Sequence, residues 1–258
     1  MNLNSIINLL NNEVKLKQHE HWDNSGLQIG SKKSYISKIM LTLDLDLEAA
    51  EHAVKEKVDL IITHHPFFFS CVKKIDLDTY DGRIIKMLIT NSINLYSMHT
   101  SYDMADKGVN YDLARKLNIL NYQVLHPVNI DKSGYGGIGD VNPVNIIEYS
   151  RYVKEALSAD YVKLYCGDGS KIIKKVAFCG GSGSEFIEDA INLNADVYIT
   201  GDIKYHHAQN AIKNNLCIID AGHYNTEKHS MEFLKEVLDK TDIEIINFKK
   251  NMTSEKII

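Results

Sequence analysis

Two segments of this chain share one pattern, in which an apolar run, an amphipathic run and a second apolar run follow one another. Residues 38–63 align with residues 175–200 without a gap. Short apolar runs around a helical pattern predict a β-α-β unit, whose strands pair in parallel through a right-handed crossover. The identical pairs are Lys38/Lys175, Glu48/Glu185, Glu51/Glu188, Ala53/Ala190, Asp59/Asp196, Ile62/Ile199 and Thr63/Thr200. The repeat predicts an α/β fold made of two similar halves with mixed, largely parallel sheets.

Further periodic runs extend both halves. In the first half we predict helices over 5–16, 47–57, 82–92 and 110–118, and strands over 38–44, 58–63 and 93–98. In the second half we predict strands over 174–181, 195–200 and 216–220, and helices over 184–194, 204–215 and 226–240. The chain is therefore divided into a first repeat (1–125), an inserted connecting segment (126–173) and a second repeat (174–258).

The connecting segment contains a glycine-rich run at 133–141, before a predicted helix over 144–157 and a short apolar run at 161–166. No Gly-Lys-Ser/Thr sequence occurs there, and the glycines do not lie between a predicted strand and a helix, as those of a G-x-G-x-x-G phosphate loop would. Phosphate-binding loops need such a pattern, because their backbone amides must converge on the anion. The run is interpreted as a hairpin or insertion.

Composition excludes several classes of protein. The 258 residues are 44% hydrophobic and 24% charged, which is ordinary for a globular chain and excludes a disordered or fibrous one. No apolar run reaches the roughly 20 residues that span a bilayer, and the first residues lack the features of a secretory signal, so a soluble cytoplasmic protein is expected. The net charge of −5 gives the protein no overall positive potential that would attract a nucleic-acid backbone. A local basic patch is compatible with this net charge.

The four cysteines, Cys71, Cys166, Cys179 and Cys217, are far apart in the sequence and form no C-x-x-C pair. This spacing argues against a thiolate zinc site and against a disulfide framework. We expect reduced thiols, mostly buried.

Histidines and acids cluster just after predicted strands. His64 and His65 follow the strand over 58–63, and the strands that come next in each half lead into His99-x-x-x-Asp103 and His223-x-x-x-Glu227. Ligand sites of α/β sheets lie beyond the carboxyl ends of strands, and imidazole with carboxylate suits divalent Zn, Fe or Mn. Six candidate donors exceed one tetrahedral site, so they favour a two-metal centre.

A purely structural role is the alternative for each group. A lone histidine at a strand end is usually a satisfied polar group, and Asp103 and Glu227 could be helix N-terminal acids. Adjacent side chains on a strand point to opposite faces, so His64 and His65 can share a site only in the turn beyond it, which the following Pro66 favours.

A second histidine pair, His206-His207, lies at the start of a predicted helix, where successive side chains point about 100° apart. These two are better candidates for orienting ligands, contacting substrate or transferring protons than for ligating metal. Asp202 occupies the position in the second repeat that His65 occupies in the first, and it could orient a ligand or substrate.

Over nearly its whole length the chain resembles the GTP cyclohydrolase 1 type 2 homologues, also described as dinuclear-metal-centre hexameric proteins. The motifs that carry the resemblance are WDNSGLQIG (22–30), ITHHPFFF (62–69), MHTSYDMADKGVN (98–110), ITGDIKYHHAQNA (199–211) and DAGHYNTE (220–227). The resemblance implies a toroidal homohexamer and two divalent ions per chain. The implied ligands are His64, His65, Asp103, His223 and Glu227, with Glu227 bridging the ions and His99 beside the site.

Two functions of different classes follow. The first is a dinuclear-metal-dependent hydrolase of a small molecule. The family name alone suggests that the substrate is a purine nucleotide such as GTP. Activated water would attack purine C8 or a phosphorus centre, while His99, His206 or His207 moves protons. The second is a metal-binding regulatory or scaffold protein without significant turnover. The acidic balance weighs against nucleic acid as its partner, and no membrane partner is expected.

Overall fold

The structure is a computed structural model, and it describes residues 1–253. The chain forms two compact units. Unit 1 contains Met1–Tyr102 and the described residues from Met231 onward, and unit 2 contains Asp103–Ser230. These units are defined by packing, and their boundaries differ from the predicted repeat boundaries at 125 and 173. The predicted boundaries refer to the sequence pattern alone.

Helices and strands alternate through most of the chain. In chain order they are α1 (Leu3–Val14), β1 (Gly26–Ile29), β2 (Lys38–Thr42), α2 (Leu47–Lys55), β3 (Leu60–Thr63), α3 (Tyr80–Thr90), β4 (Asn94–Ser97), α4 (His99–Asp103), α5 (Val109–Lys116), β5 (Leu120–Pro127), β6 (Gly134–Asn145), α6 (Ile146–Ala156), β7 (Lys163–Tyr165), β8 (Ile172–Ser182), α7 (Ile187–Asn192), β9 (Val197–Gly201), α8 (Tyr205–Lys213), β10 (Cys217–Asp220), α9 (His223–Leu238) and β11 (Glu244–Asn247).

Each unit is built on one mixed sheet. In unit 1 the strand order is β1-β4-β3-β2-β11, and every pairing is parallel except that of β1 with β4. In unit 2 the order is β5-β6-β8-β9-β10-β7, and the parallel strands β8, β9 and β10 are flanked by antiparallel strands. The α/β class with mixed sheets is therefore confirmed. Of the antiparallel strands of unit 2, β6 and β7 belong to the predicted connecting segment, whereas most of β5 precedes it.

The aspartate that the two repeats share has the same structural role in both units. Asp59 Oδ2 accepts hydrogen bonds from the backbone amides of Ser37 and Lys38, at 2.8 and 3.0 Å. Asp196 Oδ2 accepts from the amides of Lys174 and Lys175, at 2.8 and 2.9 Å. Each aspartate comes just before its own strand and binds backbone amides just before the point where the neighbouring strand begins to pair with it in parallel. This shared role gives a physical reason for the identity within the repeat.

The strands β1, β5 and β11 have no counterpart among the predicted elements, and each lacks the apolar pattern of a buried strand. β1 is half-buried throughout, and half of the residues of β5 are exposed. β11 pairs in parallel with β2 although it is far away in the sequence. The glycine-rich run, which was interpreted as a hairpin or insertion, forms most of β6. This long strand lies between β5 and β8 in the sheet of unit 2.

Among residues 1–253, none of the helices combines the length and the apolar character that crossing a membrane requires.

Candidate metal centre

Three histidines of unit 1 converge at the carboxyl ends of its strands. β3 ends at Thr63, and the backbone amides of His64 and His65 then bond to the carbonyls of Thr42 and Leu43. His99 begins α4, directly beyond β4. Ring nitrogens of His64, His65 and His99 lie within 4.8 Å of one another. Because both members of the His64-His65 pair lie beyond the strand, both can face one point.

Carboxylates hold two of these rings. His65 Nδ1 lies 2.8 Å from Asp44 Oδ1, and His99 Nδ1 lies 2.8 Å from Asp23 Oδ1. A carboxylate that accepts from Nδ1–H fixes the tautomer whose Nε2 carries the lone pair, which is the arrangement that metal-ligating histidines usually have. These rings are therefore oriented to donate through Nε2.

Unit 2 repeats this arrangement. His223 Nδ1 lies 2.8 Å from Asp202 Oδ2, and His223 Nε2 lies 3.2 Å from Glu227 Oε2, one helical turn along α9. Glu227 is buried, and one of its oxygens lies within 4.8 Å of a carboxylate oxygen of Asp103. Two acids and an imidazole at this spacing form an anionic group that a cation would stabilise.

A glycine makes room for the Glu227 carboxylate. Gly181, at the end of β8, has φ of +66°, and a Cβ added to it would overlap Glu227 Oε1. The Gly181 amide donates to Thr226 Oγ1 at 2.9 Å, and Thr200 Oγ1 donates to the Gly181 carbonyl at 3.1 Å. This end of β8 is thus hydrogen-bonded on both sides, and any side chain at this position would displace the carboxylate.

The donor chemistry fits divalent transition metals. Imidazole nitrogens and carboxylate oxygens are the ligands that Zn, Fe and Mn share, and they do not select one of the three. Three of the imidazoles have a carboxylate on Nδ1, which is the support such ligands need.

Asp23 is the most strongly bonded of the supporting carboxylates. Besides His99 it accepts from the hydroxyls of Ser25 and Thr100, at 2.6 and 2.7 Å. Burial works against the charged form, but the hydrogen bonds, led by that from His99, outweigh it and hold the Asp23 pKa well below its usual range. The carboxylate therefore stays ionised at any pH at which the protein would work.

We expect Asp23→Asn to lower the free energy of unfolding at neutral pH by about 1–3 kcal/mol, because buried donors lose a charged acceptor. Since the folded-state pKa lies below the unfolded one, the stabilisation is present above about pH 4 and is lost as the pH falls through the folded value. Urea unfolding at pH 7 and near pH 3.5 checks this. The difference between variant and parent should shrink at the lower pH, and a constant difference would contradict the ionic role.

The other predicted site residues lie on or near α8. His206 is exposed, with its ring centroid 5.3 Å from that of Tyr205, and His207 is half-buried with an Nδ1 that has no hydrogen-bond partner. Neither belongs to a metal-type cluster among the described residues. Asp202 is the carboxylate on His223, so the structure places it where it orients that imidazole.

Asp23 and Asp44 were missed as supporting residues. Both carry a weak signal, because Asp44 follows the end of β2 just as the histidines follow their strands, and Asp23 lies within the WDNSGLQIG motif. What the sequence could not show is which carboxylate reaches which imidazole: Asp23 and His99 are 76 residues apart.

Together the two mixed sheets and these clusters define an α/β protein with candidate metal-binding groups of histidine and carboxylate. The sequence profile of Duf34/NIF3 (NGG1p interacting factor 3) matches residues 1–253. This chain belongs to the Duf34/NIF3 family.

Several relatives span almost the whole chain. A "GTP cyclohydrolase 1 type 2 homolog" of Clostridium perfringens is 36% identical over 256 residues, which is 97% of both chains. A "GTP cyclohydrolase 1 type 2" of Helicobacter pylori is 35% identical over 248 residues, 95% of both chains. The crystal structure of a Staphylococcus aureus hypothetical protein matches with a TM-score of 0.89 at 27% identity, and covers 100% of this chain and 99% of its own. The predicted family resemblance is confirmed.

Proposed function

We propose that this protein is a dinuclear-metal-dependent hydrolase. As the family resemblance implies, two divalent ions would be held by His64, His65, Asp103, His223 and Glu227, with Glu227 shared between them. The observation that carries the proposal is the set of carboxylate-supported imidazoles, since this support on Nδ1 is characteristic of histidines that ligate metal. Bound ions of this kind supply Lewis-acid chemistry: they activate water and polarise the bond that is cleaved.

The chain's own residues then have separate tasks. Asp44 and Asp202 hold the rings of His65 and His223 in their donating tautomers. His99 is fixed by Asp23, with Nε2 directed away from that carboxylate, so it is positioned to hold or move a proton beside the ligands.

Exposed aromatic rings beside His99 support a substrate with a flat ring. Trp22 is 51% exposed and Phe69 is 57% exposed, with ring centroids 6.1 Å apart. Their centroids lie 6.1 and 6.2 Å from that of His99. Large exposed apolar rings next to a polar cluster commonly mark a binding surface, and bases stack on such rings. The Helicobacter pylori relative is named for GTP, so a purine nucleotide is the substrate that we propose.

The loop that carries Phe69 is held in place. Gln28 Oε1 accepts from the backbone amides of Phe67 and Phe68, at 2.9 and 3.1 Å. Asn24 Nδ2 donates to the Phe68 carbonyl at 2.5 Å. The segment next to Trp22 and the loop before Phe69 are therefore tied together, which keeps the two rings on connected parts of the chain.

The activity should appear when metal-loaded protein is assayed on a panel of nucleotides, and Glu227→Gln should abolish it. Trp22→Ala should raise KM roughly 5-fold or more with a smaller effect on kcat, because stacking contributes about 1–3 kcal/mol per base. Tyr35→Ala is the matched control, since this ring is 75% exposed in the same unit and makes no ring contact with His99 among the described residues. Turnover that survives Glu227→Gln would contradict the proposal.

A metal-binding regulatory or scaffold protein is the second candidate. The family description names an interacting factor, which favours a role in protein association. Full metal content without turnover of any nucleotide in the panel would support this function over the hydrolase.

We further propose that the protein is cytoplasmic and assembles as a homohexamer, as the family resemblance implies. Light scattering at micromolar concentration should give a mass well above that of a dimer of the 29.3 kDa chain. A monomer under these conditions would contradict the proposed assembly.

A further inference from the structure

Two of the four cysteines, which are far apart in the sequence, lie side by side in unit 2. The Sγ atoms of Cys166 and Cys217 are 3.1 Å apart, although 51 residues separate them. Cys217 begins β10, and Cys166 directly follows β7. The spacing in sequence gave no sign of this pair, because the two strands are neighbours only in the folded sheet.

The backbone register explains the contact. β7 and β10 are antiparallel, with Tyr165 opposite Ile218. Continuing the register by one residue places Cys166 opposite Cys217. Residues directly opposite in an antiparallel pair have Cα atoms about 4.5–5.5 Å apart, within the range of about 4.4–6.8 Å that a disulfide spans. The register and the 3.1 Å distance between the sulfurs are therefore compatible with a disulfide between these strands.

The two thiols differ in accessibility and form a chain of hydrogen bonds. The Cys217 thiol donates to the sulfur of Cys166, and the Cys166 thiol donates to the Asp168 carbonyl at 2.9 Å. Cys217 is 3% exposed, whereas Cys166 is half-buried and reachable from solvent. Burial, with the Cys166 contact, raises the pKa of the Cys217 thiol to about 12. Cys166 is therefore the thiol that an external reagent meets first.

We propose that Cys166 and Cys217 are a redox-active dithiol, which a hydroperoxide oxidises to an intrachain disulfide between β7 and β10. The Cys166 sulfur attacks the peroxide, breaks its O–O bond and becomes a sulfenic acid, while the other oxygen leaves as water or an alcohol. The Cys217 sulfur then attacks the Cys166 sulfur and displaces the hydroxyl as water. Both thiols are oxidised, both oxygens of the peroxide are reduced, and the two thiol protons leave with them.

The bond would fasten an edge of the sheet. β7 is only three residues long and is the last strand beside β10. A cross-link at the end of β7 would prevent this strand from separating from β10. Backbone hydrogen exchange in β7 should therefore slow on oxidation. Because Cys166 is accessible, a thiol reductant should reverse the change. The inference is independent of the proposed hydrolase activity.

The test uses the full chain with Cys71→Ser, which removes the exposed thiol that would form bonds between chains. After treatment with hydrogen peroxide, intact mass should fall by two hydrogen atoms per chain. Peptide mapping should join the segments that contain Cys166 and Cys217, and dithiothreitol should restore the starting mass. Deuterium uptake over residues 163–165 should decrease in the oxidised form.

Cys217→Ala in the same background is the matched control. This substitution leaves Cys166 without its partner, so peroxide should add oxygen to Cys166 instead of removing hydrogen. Circular dichroism confirms that the variant is folded. If both thiols of the Cys71→Ser chain can still be alkylated after peroxide, or if Cys166 gains oxygen while Cys217 stays reduced, the proposal is wrong.

Discussion

Glu227→Gln should lose metal from both positions of the proposed centre together. The substitution keeps the shape of the side chain but removes its charge and one anionic donor. A bridging carboxylate contributes to both ions, so its loss weakens both. Elemental analysis after reconstitution with excess metal and gel filtration should give well below half of the parent's content.

His65→Ala is the control variant against which the metal loss of Glu227→Gln is compared. An imidazole donates to a single ion, so this variant should deplete mainly one position and retain close to half of the metal. If Glu227→Gln and His65→Ala lose the same fraction, the bridging role of Glu227 is wrong. Circular dichroism of both variants separates loss of metal from loss of fold.

Gly181→Ala should have an effect nearly as large, although it removes no ligand. The added Cβ would overlap the Glu227 carboxylate, and φ of +66° disfavours any residue with a side chain by roughly 1–2 kcal/mol. The carboxylate must therefore move, and we expect both metal content and thermal stability to fall.

Gly26→Ala separates the two causes. Gly26 also has a positive φ, of +117°, but a Cβ there would meet nothing within 4 Å. This variant should lose stability and keep its metal. Gly181→Ala with full metal content would show that Glu227 does not need its present position for binding.

The parts of the fold that could be predicted are those with a strong local pattern. β3 and β9 are fully buried and read as continuous apolar runs, so both repeats were recognisable. β5 and β11 could not be predicted, since a half-exposed edge strand has no clear periodicity and its partner is set by the tertiary fold. Segment 184–194 was predicted as one helix, but a 3-10 turn over Ser184–Phe186 precedes α7.

The candidate site shows the same division. His64, His65 and the two H-x-x-x-D/E motifs could be found because they follow strands that the sequence marks clearly. The carboxylates on the imidazoles could not be paired in advance, since a hydrogen bond between Asp23 and His99 depends on how β1 returns beside β4. The neighbouring cysteines were missed for the same physical reason.

Metal stoichiometry of the intact protein tests the central claim most directly. Chains stripped with a chelator, reconstituted separately with zinc, iron and manganese and freed of loose metal should hold close to two ions each for at least one metal. The proposed ligands, five nitrogen and oxygen donors with one bridging carboxylate, predict that value. A folded chain that retains no transition metal after careful reconstitution would contradict the account.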